Sequence, residues 1–178
     1  GMTAGAAITL PDALSAWDDA AAAGLHDVVF PRTAFDAAGK QAQSDTLTRT
    51  DNAQPAIGIS SRALLNLLTR SGLKPAMVGG HSYGEVTALY AAGVLSADDL
   101  VGVASKRGAL MAEAAKLPGA MTAVSAPIEA VREKAAALGV VVANHNHPTQ
   151  VVLSGPTEAI AAAEKSLAAD GLKSRRLS

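Results

Sequence analysis

The sequence predicts an α/β fold in two parts, residues 1–119 and 120–178, and three observations carry that prediction. A short apolar run at 76–79 enters the glycine-bounded turn Gly80-His81-Ser82-Tyr83-Gly84 and then a helical pattern, an order of strand, tight turn and helix. From Ala120 onward the periodicities alternate as β, α, β, β, α, β. Hydrophobic residues make up 49% of the chain but aromatic ones only 3%, so the core is assembled from Ala, Val and Leu, which suits close packing of helices on a sheet.

In the first part, Pro11 opens a surface-hugging helix through Trp17 and Ala23 that Gly24 stops, and 26–31 reads as a short extended segment. Asp51-Asn52-Ala53-Gln54-Pro55 marks a helix start with Pro55 at an early helical position. Ile57, Ala63, Leu64, Leu67 and Leu68 then recur at helical spacing as far as Gly72. After the strand and turn, a helix over 85–92 stops at Gly93. Ser96-Ala97-Asp98-Asp99 has the form of a capping box, starting a helix that carries Leu100, Val103, Ala104, Leu110 and Met111 toward a core. Leu117-Pro118-Gly119 closes the part.

The second part divides into a strand at 120–125, a helix at 127–138, strands at 140–143 and 150–154, a helix at 156–169 and a strand at 172–177. Proline introduces both helices. This order is the split βαβ arrangement of ferredoxin-like lobes, which predicts an antiparallel four-stranded sheet with two helices on one face.

Composition excludes several functions. The net charge of -1, with no run of Lys or Arg longer than two, provides no field for a phosphate backbone, so nucleic acid is not an expected partner. Without cysteine there is no disulfide framework, thiolate metal site or cysteine nucleophile. The apolar runs are too short to span a membrane, and the N-terminus lacks a basic segment followed by an apolar one, so a soluble, cytoplasmic protein without membrane partners is expected.

A serine hydroxyl becomes a useful nucleophile when a strained turn exposes it and a base and oxyanion donors serve it. The glycines two residues before and after Ser82 let strand and helix approach closely, and the following helix N-terminus directs N–H groups at an acyl oxygen. The same pattern is compatible with a glycine-rich structural turn. Arg107 sits on the apolar stripe of its helix, and its i±3 and i±4 neighbours Val103, Ala104, Leu110 and Met111 cannot pair with it. It therefore requires an acceptor elsewhere in the fold or an anionic ligand.

Gly80-His81-Ser82-Tyr83-Gly84-Glu85, together with Asn52-Ala53-Gln54-Pro55-Ala56-Ile57 and Lys106-Arg107-Gly108, resembles the malonyl-CoA:acyl-carrier-protein transacylase family and the acyltransferase domains of polyketide and polyunsaturated fatty acid synthases. The resemblance runs from about Thr50 to the C-terminus. It implies a serine-hydrolase-like α/β core with a parallel sheet plus a ferredoxin-like insert. It also implies an acyl group passed from coenzyme A, through Ser82, to the phosphopantetheine thiol of an acyl carrier protein. No tightly bound cofactor is implied, the coenzyme A thioester being substrate, and neighbouring synthase domains are the further expected partners.

By the same resemblance Arg107 clamps the free carboxylate of malonyl or methylmalonyl, which disfavours acetyl and fatty acyl groups. His81 lies beside the active site and orders the acyl or pantetheine end, the alternative being a hydrogen-bonded turn histidine. Gln54 matches a position near the site floor, although an amide before a proline also satisfies backbone groups by itself. Tyr83 matches a position that shapes the acyl pocket, where a bulky ring suits malonyl over methylmalonyl. Asn146 and Gln150 match polar residues lining the cleft at a strand-to-strand turn, or serve ordinary turn chemistry. The His145-x-His147 spacing invites a metal, but no cysteine or acidic cluster completes a shell, so no metal site is expected.

The resemblance also implies an initial Gly-Gln-Gly-type strand and a catalytic histidine after the small lobe. Neither is matched by a segment of this sequence; His26, His81, His145 and His147 are its histidines. The expectation is part of a larger synthase subunit, slowed by roughly the 10²- to 10⁴-fold that a general base supplies. Two other classes share the elbow: an esterase or lysophospholipase-like hydrolase, against which Arg107 argues, and a non-catalytic carrier-protein docking module.

Overall fold

Trp17 anchors the first of two units, one ending at Ala114 and the other starting at Ala115, in the computed structural model that describes residues 3–177. The first unit is helical: α1 (Ala4–Thr9), α2 (Pro11–Asp19), a 3₁₀ turn (Ala21–Ala23), α3 (His26–Val29), α4 (Ala37–Thr48), α5 (Thr50–Arg70), α6 (Tyr83–Ala91) and α7 (Ala97–Ala114). The helix opened by Pro11 does not merely hug the surface. Ala13, Ala16 and Trp17 are buried with Ala56, Ile59 and Ala63 of α5, and Trp17 meets Phe30 edge-on with centroids 5.3 Å apart.

Residues 26–31 are not extended. Leu25 and Val29 are both buried, so one helical turn lays two apolar side chains on the same core face, which alternation could not do. Pro55 stands in the second turn of α5 rather than the first, because the helix already starts at Thr50; the Asp51 carbonyl consequently has no N–H four residues on. The capping box at Ser96 forms as expected: Ser96 Oγ accepts from the Asp99 N–H at 3.1 Å, and Asp99 Oδ2 accepts from the Ser96 N–H at 3.2 Å.

The predicted parallel sheet is not found, since no strand occurs among the described residues of this unit. Residues 76–79 are exposed, with Met77 at 91%, and take part in no ladder. A strand exists only through pairing, and a single apolar run has no neighbour here to exchange hydrogen bonds with. The apolar stripes also sit differently from expectation. On α7 the buried residues are Leu100, Ala104 and Gly108, whereas Val103, Leu110 and Met111 are exposed; on α5, Ile57, Leu64 and Leu68 are exposed. Gly108 decides the α7 face, because its missing side chain lets α7 lie against the start of α5.

The second unit runs β1 (Gly119–Val124), α8 (Ile128–Ala137), β2 (Val141–His147), β3 (Gln150–Pro156), α9 (Thr157–Ala169) and β4 (Ser174–Arg176). Its sheet is antiparallel throughout in the order β2-β3-β1-β4, with Thr122 opposite Leu153 on one side and Arg176 on the other. Val131, Ala135, Ile160, Ala163 and Leu167 from the two helices join Val124, Val151 and Leu153 in one core, so both helices cover the same face. Arg176 on β4 pairs with Glu164 on α9 through two hydrogen bonds of 2.9 and 2.7 Å. That pairing holds the Glu164 carboxyl below its ordinary range.

Candidate active site

Ser82 is the residue just before α6, with φ 56° and ψ −117°. An L-residue rarely occupies that left-handed region, and here the strain turns the hydroxyl outward where no side-chain cap bond to the helix uses it. The turn is possible because of Gly80: a Cβ there would lie 2.0 Å from the Gly84 carbonyl oxygen and 2.6 Å from the Glu85 nitrogen. The chain thus folds back on the first turn of α6, and the Gly84 N–H donates to the His81 carbonyl at 2.9 Å.

Arg107 reaches this turn from α7. Its Nη2 donates to Ser82 Oγ at 3.4 Å and its Nη1 to Gln54 Oε1 at 2.6 Å. The inward arginine therefore finds its acceptor on α5, and it brings together the three residues Ser82, Arg107 and Gln54 that the sequence singled out separately. Gln54 is buried, and its Nε2 donates to Thr50 Oγ1 at 2.8 Å and to Met111 Sδ at 3.1 Å. Thr50 and Met111 were not among the sequence-derived candidates. Thr50, four residues before Gln54 on one helix, was legible from spacing; the Met111 contact is tertiary.

The other candidates divide. His81 is exposed beside Ser82, and neither it nor His26 hydrogen-bonds to Ser82 Oγ. Tyr83 turns away from the exposed side: its ring is buried with the hydroxyl against Gly58 of α5. Tyr83 Oη and Thr87 Oγ1 are both buried without a partner in hydrogen-bonding geometry. Burial pushes the Tyr83 phenol up to about 12, against the opposing pull of the Thr87 hydroxyl and the Arg107 charge. Asn146 and Gln150 lie in the second unit, exposed on the β2–β3 hairpin, where the register slips between His145 and His147 and Gln150 faces His147. His147 Nδ1 is engaged by Thr149, and no group of three metal-ligating side chains occurs among the described residues. No helix among them is long and apolar enough to cross a membrane.

A hydroxyl held out on a strained turn at a helix start is how acyl-transferring serine enzymes present their nucleophile. The chain belongs to the acyl transferase domain family, whose pattern it matches over residues 9–177. It is 38% identical over 140 residues to the malonyl CoA-acyl carrier protein transacylase of Bacillus subtilis, a match covering 75% of this chain and 44% of that protein. Mycoketide-CoA synthase of Mycobacterium tuberculosis is 41% identical over 131 residues, 74% of this chain and 3% of the synthase. The crystal structure of MCAT from Streptococcus pneumoniae superposes with a TM-score of 0.80 at 35% identity, over 94% of this chain and 55% of that one. The chain thus spans about half the length of the free-standing transacylases it matches, and a small fraction of the synthases.

Proposed function

We propose that this chain transfers a malonyl-type acyl group from coenzyme A to an acyl carrier protein through an ester on Ser82. Ser82 Oγ bonds to the thioester carbonyl carbon as its proton passes to a base; the carbon–sulfur bond breaks and coenzyme A leaves as the thiol. The phosphopantetheine thiol of the carrier then attacks the ester, the carbon–Oγ bond breaks, and Ser82 regains a proton. The Tyr83 N–H, following the nucleophile at the helix start, is the donor to the oxyanion. The observation that carries the reading is the Arg107 guanidinium 3.4 Å from Ser82 Oγ. A malonyl carboxylate lies two carbon–carbon bonds from the carbon under attack, within the reach of a cation so placed, and only an acyl group with a second carboxylate rewards it.

Gln54 holds Arg107, and His81 contributes at the pantetheine side. Asn146 and Gln150 are proposed as polar lining in a serine-hydrolase-like architecture with a ferredoxin-like lobe, the element order and antiparallel sheet supporting the latter. The base is proposed to come from the rest of a longer cytoplasmic acyltransferase, with neighbouring synthase domains as partners. The partial span of the relatives and the lack of a histidine on Ser82 Oγ support that part.

Intact-protein mass spectrometry after incubation with malonyl-CoA tests the proposal. With the base outside this chain, a malonyl adduct is expected to form slowly on the chain and not on Ser82→Ala, and a carrier thiol should remove it faster than water does. An adduct that persists in Ser82→Ala, or one that only water removes, would overturn the transferase reading.

A further inference from the structure

Gln54 is only 5% exposed, so its amide has to be satisfied within the fold. Three groups do this: Arg107 Nη1 donates to Oε1 at 2.6 Å, and Nε2 donates to Thr50 Oγ1 at 2.8 Å and Met111 Sδ at 3.1 Å. A guanidinium has donors only and a thioether accepts only. One orientation of the amide therefore satisfies all three neighbours, and the flipped one sets its NH₂ against the guanidinium. Of the two groups that hold the NH₂ end, sulfur is a weak acceptor, which leaves the Thr50 hydroxyl as the stronger hold.

Thr50 has a second role in the same place. A Cβ on Gly108 would lie 2.7 Å from the Thr50 carbonyl oxygen and 3.0 Å from Asp51 Cα, so the bare backbone of α7 rests directly on the first turn of α5. That close approach lets a side chain at 107 span to Gln54. Thr50 thus takes part in both, its backbone setting the helix crossing and its hydroxyl holding the NH₂ end of the amide that Arg107 and Met111 orient.

We propose that Thr50 is a positioning residue for acyl-group selection. By accepting from Gln54 Nε2, its hydroxyl fixes in place the amide whose carbonyl receives Arg107 Nη1, and so keeps Nη2 directed at the acyl group on Ser82. The proposal rests on the reading of Arg107 as a carboxylate clamp. Loss of the hydroxyl leaves the NH₂ end held by a thioether alone, so the amide shifts and Arg107 loses its fixed end before any substrate is touched.

The test compares the full chain with Thr50→Val, Thr50→Ser and Arg107→Ala. Equimolar malonyl-CoA and acetyl-CoA compete for Ser82, and intact mass gives the ratio of adducts. Calorimetry in a Ser82→Ala background gives the ratio of affinities without turnover. Thr50→Val is expected to lower the malonyl preference roughly fivefold, the size of one lost hydrogen bond, while Thr50→Ser retains it. A purely structural role would lower thermal stability and leave the ratio alone. If Arg107→Ala lowers the ratio and Thr50→Val leaves it at the wild-type value, the Thr50 proposal is overturned and the clamp stands. A ratio unmoved by Arg107→Ala overturns the clamp itself.

Discussion

Arg107 is held firmly at one end and loosely at the other: Nη1 lies 2.6 Å from Gln54 Oε1, whereas Nη2 lies 3.4 Å from Ser82 Oγ. Strong N–H···O bonds fall at about 2.7–3.2 Å, so the contact to the serine is weak and is readily exchanged for a carboxylate. The anchored end keeps the side chain from wandering into solvent in the meantime. One strong and one weak partner is the arrangement that the proposed carboxylate clamp requires.

Replacing Arg107 with Ala is expected to remove the discrimination proposed for it. A hydrogen bond to a charged group contributes about 1.5–3 kcal/mol, so malonyl loading of Ser82 should fall roughly ten- to a hundredfold relative to acetyl loading. Competitive labelling with the two thioesters measures it. An equal fall for both donors would count against the clamp.

At position 80 even a methyl group is too large. In Gly80→Ala the added carbon meets the Gly84 carbonyl oxygen at 2.0 Å, and backbone cannot swing aside as a side-chain tip can. The variant should be less stable by about 1–3 kcal/mol and should lose Ser82 acylation while its circular dichroism stays helical. Acylation at the wild-type rate would show that the turn does not depend on this close approach.

Gly58 and Tyr83 form a coupled pair. A Cβ at 58 would sit 2.3 Å from Tyr83 Oη but 3.5 Å from Cζ, so the clash belongs to the hydroxyl and the ring itself is at ordinary contact distance. Gly58→Ala should cost about 1–3 kcal/mol in urea denaturation. In a Tyr83→Phe background the penalty should shrink by about 1 kcal/mol or more, a coupling that a double-mutant cycle reads directly. Tyr83→Phe alone should be neutral or stabilising, because it removes a buried hydroxyl that has no partner. Additive effects would mean that the pair does not interact.

The same phenol gives a pH signature. Its folded value is about 12, above the roughly 10 of an unfolded tyrosine, so the folded state holds this proton more tightly. Below about pH 10 both states are protonated and the contribution is fully present; it is lost as pH rises from there through about 12. Stability measured against pH should therefore fall more steeply for the wild type than for Tyr83→Phe across that window. Parallel curves would contradict a buried, neutral Tyr83.

Most of the second unit was legible because its signals are local. Pro127 and Pro156 sit at the helix starts, and the continuous apolar run Val151-Val152-Leu153 becomes the buried part of β3. In the first unit, the elbow and the capping box were legible for the same reason. The parallel sheet was not, because one apolar run at 76–79 resembles a strand whether or not a neighbour pairs with it. Residues 26–31 misled for a related reason: a run this short fits either period.

Sequence alone singled out the side chains proposed to carry the chemistry. A serine between spaced glycines and an arginine without a local partner are unusual enough to stand out by composition and spacing. Tertiary structure decided what each one faces. It turned Tyr83 inward against Gly58, set the buried face of α7 on Leu100, Ala104 and Gly108, and brought Gln54 of α5, Arg107 of α7 and Ser82 of the turn before α6 together across 53 positions of chain. Helical periodicity limits the faces a residue can occupy, but the choice among them depends on where a neighbouring backbone approaches. Here that is the contact between Gly108 and Thr50, a distance that no local pattern encodes.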